Sequence, residues 1–323
     1  MPTPNDLPEF NKVNTESLNI IKAANIIRAG GLVSFPTETV YGIGADATND
    51  KAVAAIFGTK QRPHFNPLII HIKSVFHAFD FAQFNQLALE LTLKHWPGAL
   101  TLVLKRKKDA KLSFLATAGL DTVALRVPNH PVAQAILNAA NVPIAAPSAN
   151  KSGYISPTRA AHVEEQFSGS KSLNLLVDGG PCKVGLESTI VDMSGDTPTL
   201  LRPGGLATQD IEAIVGPLTI HASENIIAPG QLKSHYAPSI PLRMNVLPGD
   251  CKPDETYLGF GSNITNTNAL NLSQSGNFAE AAANLFSMMR RLDNPENNAI
   301  AVAPIPDQDL GLAINDRLRR ASA

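Results

Sequence analysis

Apolar residues, Leu18, Ile21 and Ile26 among them, recur at helical spacing over residues 16–29, and the run stops at Gly30 and Gly31. A strand, GLVSF, follows directly. Asp50 opens a short helix that the pattern ends at Gly58, and PLIIHI then reads as a strand. ALTLVLK and TVALRV read as two more strands on either side of the basic stretch LKRKKDAK at 104–111. Further on, residues 131–140 are patterned as a helix, VPIAA as a buried strand, 158–167 as a helix, and LNLLVD, STIVDM and TPTLLR as strands. Short strands with fewer helices, and no strict βαβ rhythm, predict a mixed α/β sheet wrapped around a site.

The pattern changes over residues 203–240. RPGGLATQDIEAIVGPLTI holds one short helix, and HASENIIAPGQLKSHYAPSIP is polar and broken by Pro and Gly, which reads as a linker. After it LRMNV, TYLGFG, a helix over about 276–293, AIAVAPI and a last helix to Arg320 alternate β and α. That alternation predicts a small Rossmann-like α/β domain.

With 323 residues and 44% hydrophobic content the chain can bury a large core and a small one. A formal net charge of −1 argues against a protein that coats nucleic acid, and LKRKKDAK reads as a solvated turn between strands. The two cysteines, Cys182 and Cys251, form neither a disulfide framework nor a zinc spacing, so a reducing cytoplasm is expected. The N-terminal stretch MPTPNDLPEFNKVNTES lacks the apolar core of a signal peptide, and no apolar run is long enough to span a bilayer.

Candidate chemistry is carried by loops. In TKQRPHFNPLIIHI, residues 59–72, Lys60 and Arg62 stand one residue apart. A lone Lys-x-Arg is ordinarily a solvated pair, but Pro63 and Pro67 hold Arg62 and Asn66 extended and stiffen the loop. A point charge beside a planar fork suits a polyanion such as a nucleotide tail. FPTETVYGIGADA, at 35–47, reads as a turn in which Gly42 and Gly44 permit close approach and Thr37, Thr39 and Tyr41 offer hydrogen bonds.

APSANKSGYISPT, at 146–158, sets Ser148, Asn150, Ser152 and Ser156 directly after an apolar strand, the usual place for ligands in α/β sheets. No GxSxG elbow is present, so hydrogen bonding to phosphate or ribose suits Ser148 better than nucleophilic attack. VDGGPCKVGLESTIVDM, at 177–193, brings Gly179, Gly180 and Gly185 before Ser188 and Thr189, a turn able to cradle an anion through backbone N–H groups. Arg126 and Arg202 each end an apolar strand and suit a salt bridge or an anion contact equally. His71, between isoleucines, reads as a satisfied core histidine. GxxxxGK[ST] and GxGxxG are absent, and LGFGSN at 258–263 reads as an ordinary strand-to-loop turn.

Taken in order, FPTETVYGIG, KQRPHFNPLIIHI, WPGALTLVL, ALRVPNHP, APSANKSG, GLESTIVD, LRPG and HYAP resemble the YrdC/Sua5 family. LGLAINDRLRRASA is similar to the end of its two-domain Sua5 branch, so the resemblance covers nearly the whole chain. It implies an α/β fold: a YrdC-like mixed twisted sheet with helices over 14–207, a linker folding over the active site over 208–240, and a small Rossmann-like Sua5-type domain over 241–323. The activity it implies is synthesis of threonylcarbamoyl-AMP from L-threonine, bicarbonate (or CO2) and ATP, with release of pyrophosphate, as the first step toward the t6A modification of tRNA.

By the same matching, Lys60 and Arg62 are expected to contact the ATP phosphates and stabilise the charge that develops as pyrophosphate leaves. Asn66, Thr122, Ser148, Asn150, Ser156 and Arg202 match nucleotide contacts, and Thr39, His71, Arg126 and Ser188 match the threonine pocket. Tyr236 and His235 match linker residues that fold back over the nucleotide, so that residues 228–238 are expected to act as a lid. Magnesium is expected to travel with the triphosphate, since the matching segments hold no cluster of carboxylates. A downstream threonylcarbamoyl transferase is the expected partner, with no stable nucleic-acid or membrane binding. Two other classes stay open: a module recognising RNA by shape through residues 105–108, and a carbamoyl-transfer enzyme using a ready-made donor.

Overall fold

The computed structural model describes residues 12–14, 17–220, 228–229, 234–262 and 269–323. The first part runs β1 (Lys12–Asn14), α1 (Ser17–Arg28), β2 (Val33–Pro36), β3 (Tyr41–Asp46), α2 (Asp50–Lys60), β4 (Ile69–His71), α3 (Val75–Ala78), α4 (Gln86–His95) and β5 (Leu100–Lys105). It continues through β6 (Thr122–Arg126), α5 (Pro131–Ala140), β7 (Ile144–Ala145), α6 (Ala160–Phe167), β8 (Leu175–Asp178), β9 (Thr189–Asp192), β10 (Thr199–Arg202), α7 (Thr208–Val215) and β11 (Thr219–Ile220). The second part is β12 (Leu242–Arg243), β13 (Glu255–Gly259), β14 (Ala269–Asn271), α8 (Phe278–Leu292), β15 (Ala299–Val302) and α9 (Gly311–Ala321).

Eleven strands of the first part form one mixed sheet in the order β1-β8-β2-β3-β7-β4-β6-β5-β9-β10-β11. The other four make a separate parallel sheet, β12-β15-β13-β14, in keeping with the expected Rossmann-like alternation. Helices begin where polar side chains meet orphan backbone donors: Asn49 caps α2, Asn85 caps α4 and Asn277 caps α8. α7 and β11 pack on the first sheet, β11 pairing with β10 and Ile211 joining the main core.

Two sequence readings need correction. Residues 41–46 are not a turn but the strand β3, antiparallel to β2. All six residues of β3 are buried, which removes the period-two alternation that would have revealed a strand. α2 does not stop at Gly58; it continues to Lys60 and ends where Gln61 adopts a left-handed φ of 52° and returns its N–H to Gly58 O and Phe57 O. Lys60 therefore rides on a helix, and only Arg62 belongs to the loop.

Register decides which side chains share a face. Ile69 pairs with Ala124 and His71 with Arg126, while Val103 lies opposite Ala124 and Thr101 beside Ile190. Those residues face one way. Ile70, Leu102, Leu104, Leu125 and Val191 face the other, into the main core. On the first face Ile69, Val103, Ala124, Ile190 and Leu201 make a small apolar floor, covered by Ala228.

Candidate active site

The register shifts between Leu200 and Arg202, so that Arg202 lies opposite Ile190. Without that bulge Arg202 would fall on the opposite face; with it, the guanidinium joins His71, Arg126 and Ser188. These ends of β4, β6, β9 and β10 form the floor of a cavity. Its walls are Thr37 and Thr39 from the β2–β3 turn, Arg62, Pro147 and Ser148, and Glu187, with Pro229, His235 and Tyr236 above. Gly204 is a sterically required glycine here, because a Cβ on it would come within 2.4 Å of the Glu187 backbone oxygen.

All four residues matched to a threonine pocket, Thr39, His71, Arg126 and Ser188, line this one cavity. Arg126 answers the question its sequence left open by forming a salt bridge to Glu38 Oε1 at 2.6 Å while also donating to Thr39 Oγ1 at 2.9 Å. Glu38 in turn accepts from the Asn129 N–H, so the arginine is locked in place. His71 is not a satisfied core histidine: it is buried and its Nδ1 has no partner. Burial, reinforced by Arg126, pushes its pKa down to about 3, so the ring is neutral. Ser188 Oγ shares a 2.7 Å hydrogen bond with Thr101 Oγ1.

Of the residues matched to the nucleotide, Arg62, Ser148, Arg202 and Tyr236 line the same cavity. Lys60, Asn66, Thr122, Asn150 and Ser156 stand behind its wall or at the start of the floor strands. Lys60 Nζ donates to the carbonyl oxygens of Ser148 and Asn150, clamping the end of α2 to the loop after β7. Asn66 is fully buried, and both side-chain polar atoms lack a partner; Asn150 Oδ1 is likewise orphaned. Ser156 Oγ donates to Glu187 Oε1 at 2.6 Å. Thr122 starts the strand that ends in Arg126, on the same face.

The electrostatics are one-sided. Arg62 donates to Asn66 O and Pro67 O, and Arg202 to Ser188 O and Pro229 O, so both are held by carbonyls rather than carboxylates. Burial lowers Arg62 to about 10 and also lowers Arg202 and Lys60, the last well below its ordinary value. Glu187 is the carboxylate among them; burial opposes its charge, but Arg317 and Arg202 hold it down at about 2. Buried polar groups without partners and buried cations without counter-ions are costly unless something binds to them.

Sequence reasoning missed Glu187 and Arg317. Glu187 gave a signal as the one charge in GLESTIV, between an apolar residue and a hydroxyl run. Tyr41, offered as a ligand contact, turns away: its hydroxyl donates to Gly180 O at 2.7 Å. Tyr236 sits at a left-handed φ of 65° and is 1% exposed, stacked on Phe286 of α8. The Gly230–Lys233 stretch of the expected lid lies outside the described residues.

A family model described as "Telomere recombination" (Sua5_yciO_yrdC) matches residues 25–204, and one described as the C-terminal domain of threonylcarbamoyl-AMP synthase matches 206–323. Threonylcarbamoyl-AMP synthase of Bacillus subtilis (strain 168) is 39% identical over 331 residues, covering 96% of this chain and 95% of the relative. This chain belongs to the two-domain Sua5 family of threonylcarbamoyl-AMP synthases. The Pyrococcus abyssi member (strain GE5 / Orsay) is 40% identical over 95% of each chain. The crystal structure of P. abyssi Sua5 complexed with L-threonine superposes with a TM-score of 0.88 at 38% identity, covering 96% of both chains. The E. coli YciO structure, 23% identical with a TM-score of 0.54, shares the fold over 61% of this chain. Among the described residues no helix is long and apolar enough to cross a membrane.

Proposed function

We propose that this Sua5-family chain joins L-threonine, bicarbonate (or CO2) and ATP into threonylcarbamoyl-AMP and releases pyrophosphate. The observation that carries the reading is the cationic wall: Arg62 and Arg202, with Lys60 behind them, are at most 7% exposed, and none of the three has a carboxylate in salt-bridge range among the described residues. A triphosphate supplies the missing negative charge. Beside it, Arg126 faces the amino-acid carboxylate, and Thr39, His71 and Ser188 enclose the rest of the threonine.

The chemistry asks little covalent help of the protein. The threonine amine adds to CO2, losing a proton to give a carbamate; a carbamate oxygen attacks the α-phosphorus in line, forming the new P–O bond as the bond to pyrophosphate breaks. Arg62 and Arg202 stabilise the charge that moves onto the leaving pyrophosphate. His71 is held neutral and offers hydrogen bonding without a second positive charge near the amine. The buried Cys182 thiol is pushed up by burial and is not a thiolate nucleophile. Holding the reactants in register and excluding water from the labile carbamate are the protein's main tasks.

Glu187 lines the cavity and Glu38 lies behind it, and each is committed to an arginine. They do not form a resident metal site, and magnesium enters on the phosphate oxygens as part of the substrate. The test is pyrophosphate release on adding ATP, threonine and bicarbonate together. Dependence on all three supports the reading; release without threonine or without bicarbonate sinks it. A cytoplasmic location, and delivery of the product to a threonylcarbamoyl transferase acting on tRNA, complete the proposal.

A further inference from the structure

Arg317 is 0% exposed although its helix, α9, belongs to the second domain. It occupies the apolar stripe formed with Ile314, Leu318 and Ala321, and its side chain crosses into the first domain. Nε donates to Glu187 Oε2 at 2.8 Å and Nη1 to Pro203 O at 2.9 Å. Nη1 also meets Asp316 Oδ2 at 2.6 Å, and the guanidinium carbon lies 5.2 Å from the Tyr236 ring centroid. Ser156 occupies the other oxygen of Glu187, so both carboxylate oxygens are engaged.

That engagement matters because of what surrounds Glu187. Arg202 and Lys60 both feel its charge, yet neither forms an ion pair with it. A buried carboxylate next to unpaired cations would normally turn to one of them. The geometry points to Arg317 as a positioning residue: by occupying Glu187 it keeps that carboxylate off Arg202 and leaves the cationic wall free for the phosphates of the nucleotide. This rests on the reading that the cavity takes ATP. It makes the second domain a working part of the site, since Gly185, two residues before Glu187, also packs so tightly on α8 that a Cβ would come within 2.5 Å of the Ala282 carbonyl oxygen.

The two partners then have opposite effects. Without Arg317, Glu187 pairs with Arg202 and becomes an internal competitor of the phosphates. With glutamine at 187, the competing charge is gone, Ser156 keeps an oxygen to donate to, and Arg317 keeps its ion pair with Asp316. A purely structural latch behaves differently, because removing either partner undoes the same domain contact.

The experiment measures binding of inorganic pyrophosphate, and separately of L-threonine, to the full chain by calorimetry. Arg317→Met is expected to weaken pyrophosphate at least tenfold, and Glu187→Gln to tighten it at least threefold. The Arg317→Met/Glu187→Gln double variant is expected to return within threefold of the unmodified chain, with threonine affinity unchanged within twofold throughout. Should Arg317→Met fail to fold, Arg317→Lys, which keeps a cation opposite Glu187, is expected to bind pyrophosphate within threefold of the unmodified chain, and a larger loss overturns the proposal. Loss of pyrophosphate affinity in both single variants, with no recovery in the double, also overturns it. An unmodified chain that does not bind pyrophosphate at all sinks the nucleotide reading, and this proposal with it; normal binding that Arg317→Met leaves unchanged sinks this proposal alone.

Discussion

Arg62→Met separates a residue that serves the ligand from one that serves the fold. The guanidinium is 7% exposed and held down at about 10 by burial, a perturbation equivalent to about 3 kcal/mol against its charged form in the ligand-free chain. Its bonds to Asn66 O and Pro67 O return about 1.5 kcal/mol each, as charge-assisted hydrogen bonds do. The two contributions nearly cancel, so the ligand-free variant is expected within about 1 kcal/mol of the unmodified chain in urea denaturation. The reaction has no such compensation. Removing one donor from a developing anion costs about 100- to 1000-fold in rate. Coupled pyrophosphate release reads that loss directly, and circular dichroism verifies the fold. A well-folded Arg62→Met protein within threefold of full rate would remove Arg62 from the phosphates. A loss of more than about 3 kcal/mol in stability would show that its task is holding the loop instead.

Serine should be a poor substitute for threonine: a missing methyl in a fitted pocket is worth about 1 to 3 kcal/mol, or about ten- to two-hundredfold in kcat/KM, and equal efficiency would show that the cavity at Thr39, His71, Arg126 and Ser188 does not read the side chain. His71 and His235 are both held neutral, at about 3 against an ordinary 6.5, so the unfolded chain takes up protons below 6.5 that the folded chain refuses. Stability is therefore complete above 6.5 and lost as pH falls toward 3, by about 2 kcal/mol per histidine at pH 5. Denaturation curves from pH 7 to 5 test this, and a His71→Gln/His235→Gln variant with the same pH slope would contradict it. Tyr236→Phe keeps the ring on Phe286 and is expected to weaken ATP binding with little effect on stability, whereas Tyr236→Ala also opens a hole in the second core worth about 3 to 5 kcal/mol. Thermal unfolding with and without ATP distinguishes the two, and equal ATP stabilisation of the Phe variant and the unmodified chain would take the hydroxyl out of the site.

Where periodicity and caps are strong the chain announces its structure. α5 falls at residues 131–140, where the pattern puts it, because Pro131 opens it and an apolar stripe faces the core. β3 stayed hidden because burial on both sides erased its alternation, and of the two glycines that suggested a turn Gly44 serves close packing, since a Cβ on it would come within 2.6 Å of Phe35, while Gly42 lines the cavity. Gly58 misled in the same way. It faces open space, so nothing forces the helix to end there, and the left-handed cap fell to Gln61. The candidate site was legible as a set of loops but not as a geometry. Nothing in TPTLLR announces the bulge that swings Arg202 onto the ligand face, since a one-residue register shift leaves the sequence pattern unchanged. Arg317 was legible in principle, as a cation inside the apolar stripe of α9, but its partner lies 130 residues away in the chain. Only the packing of the two domains brings them together.

The central claim is that ATP, threonine and bicarbonate meet in one cavity and leave as one adenylate. Incubating the chain with ATP, L-threonine and carbon-13 bicarbonate, then following the products by mass spectrometry, tests it most directly. The account predicts an AMP conjugate that carries both threonine and the labelled carbon, formed in step with pyrophosphate. An unlabelled threonyl-AMP, or pyrophosphate released with no labelled adenylate, would contradict it.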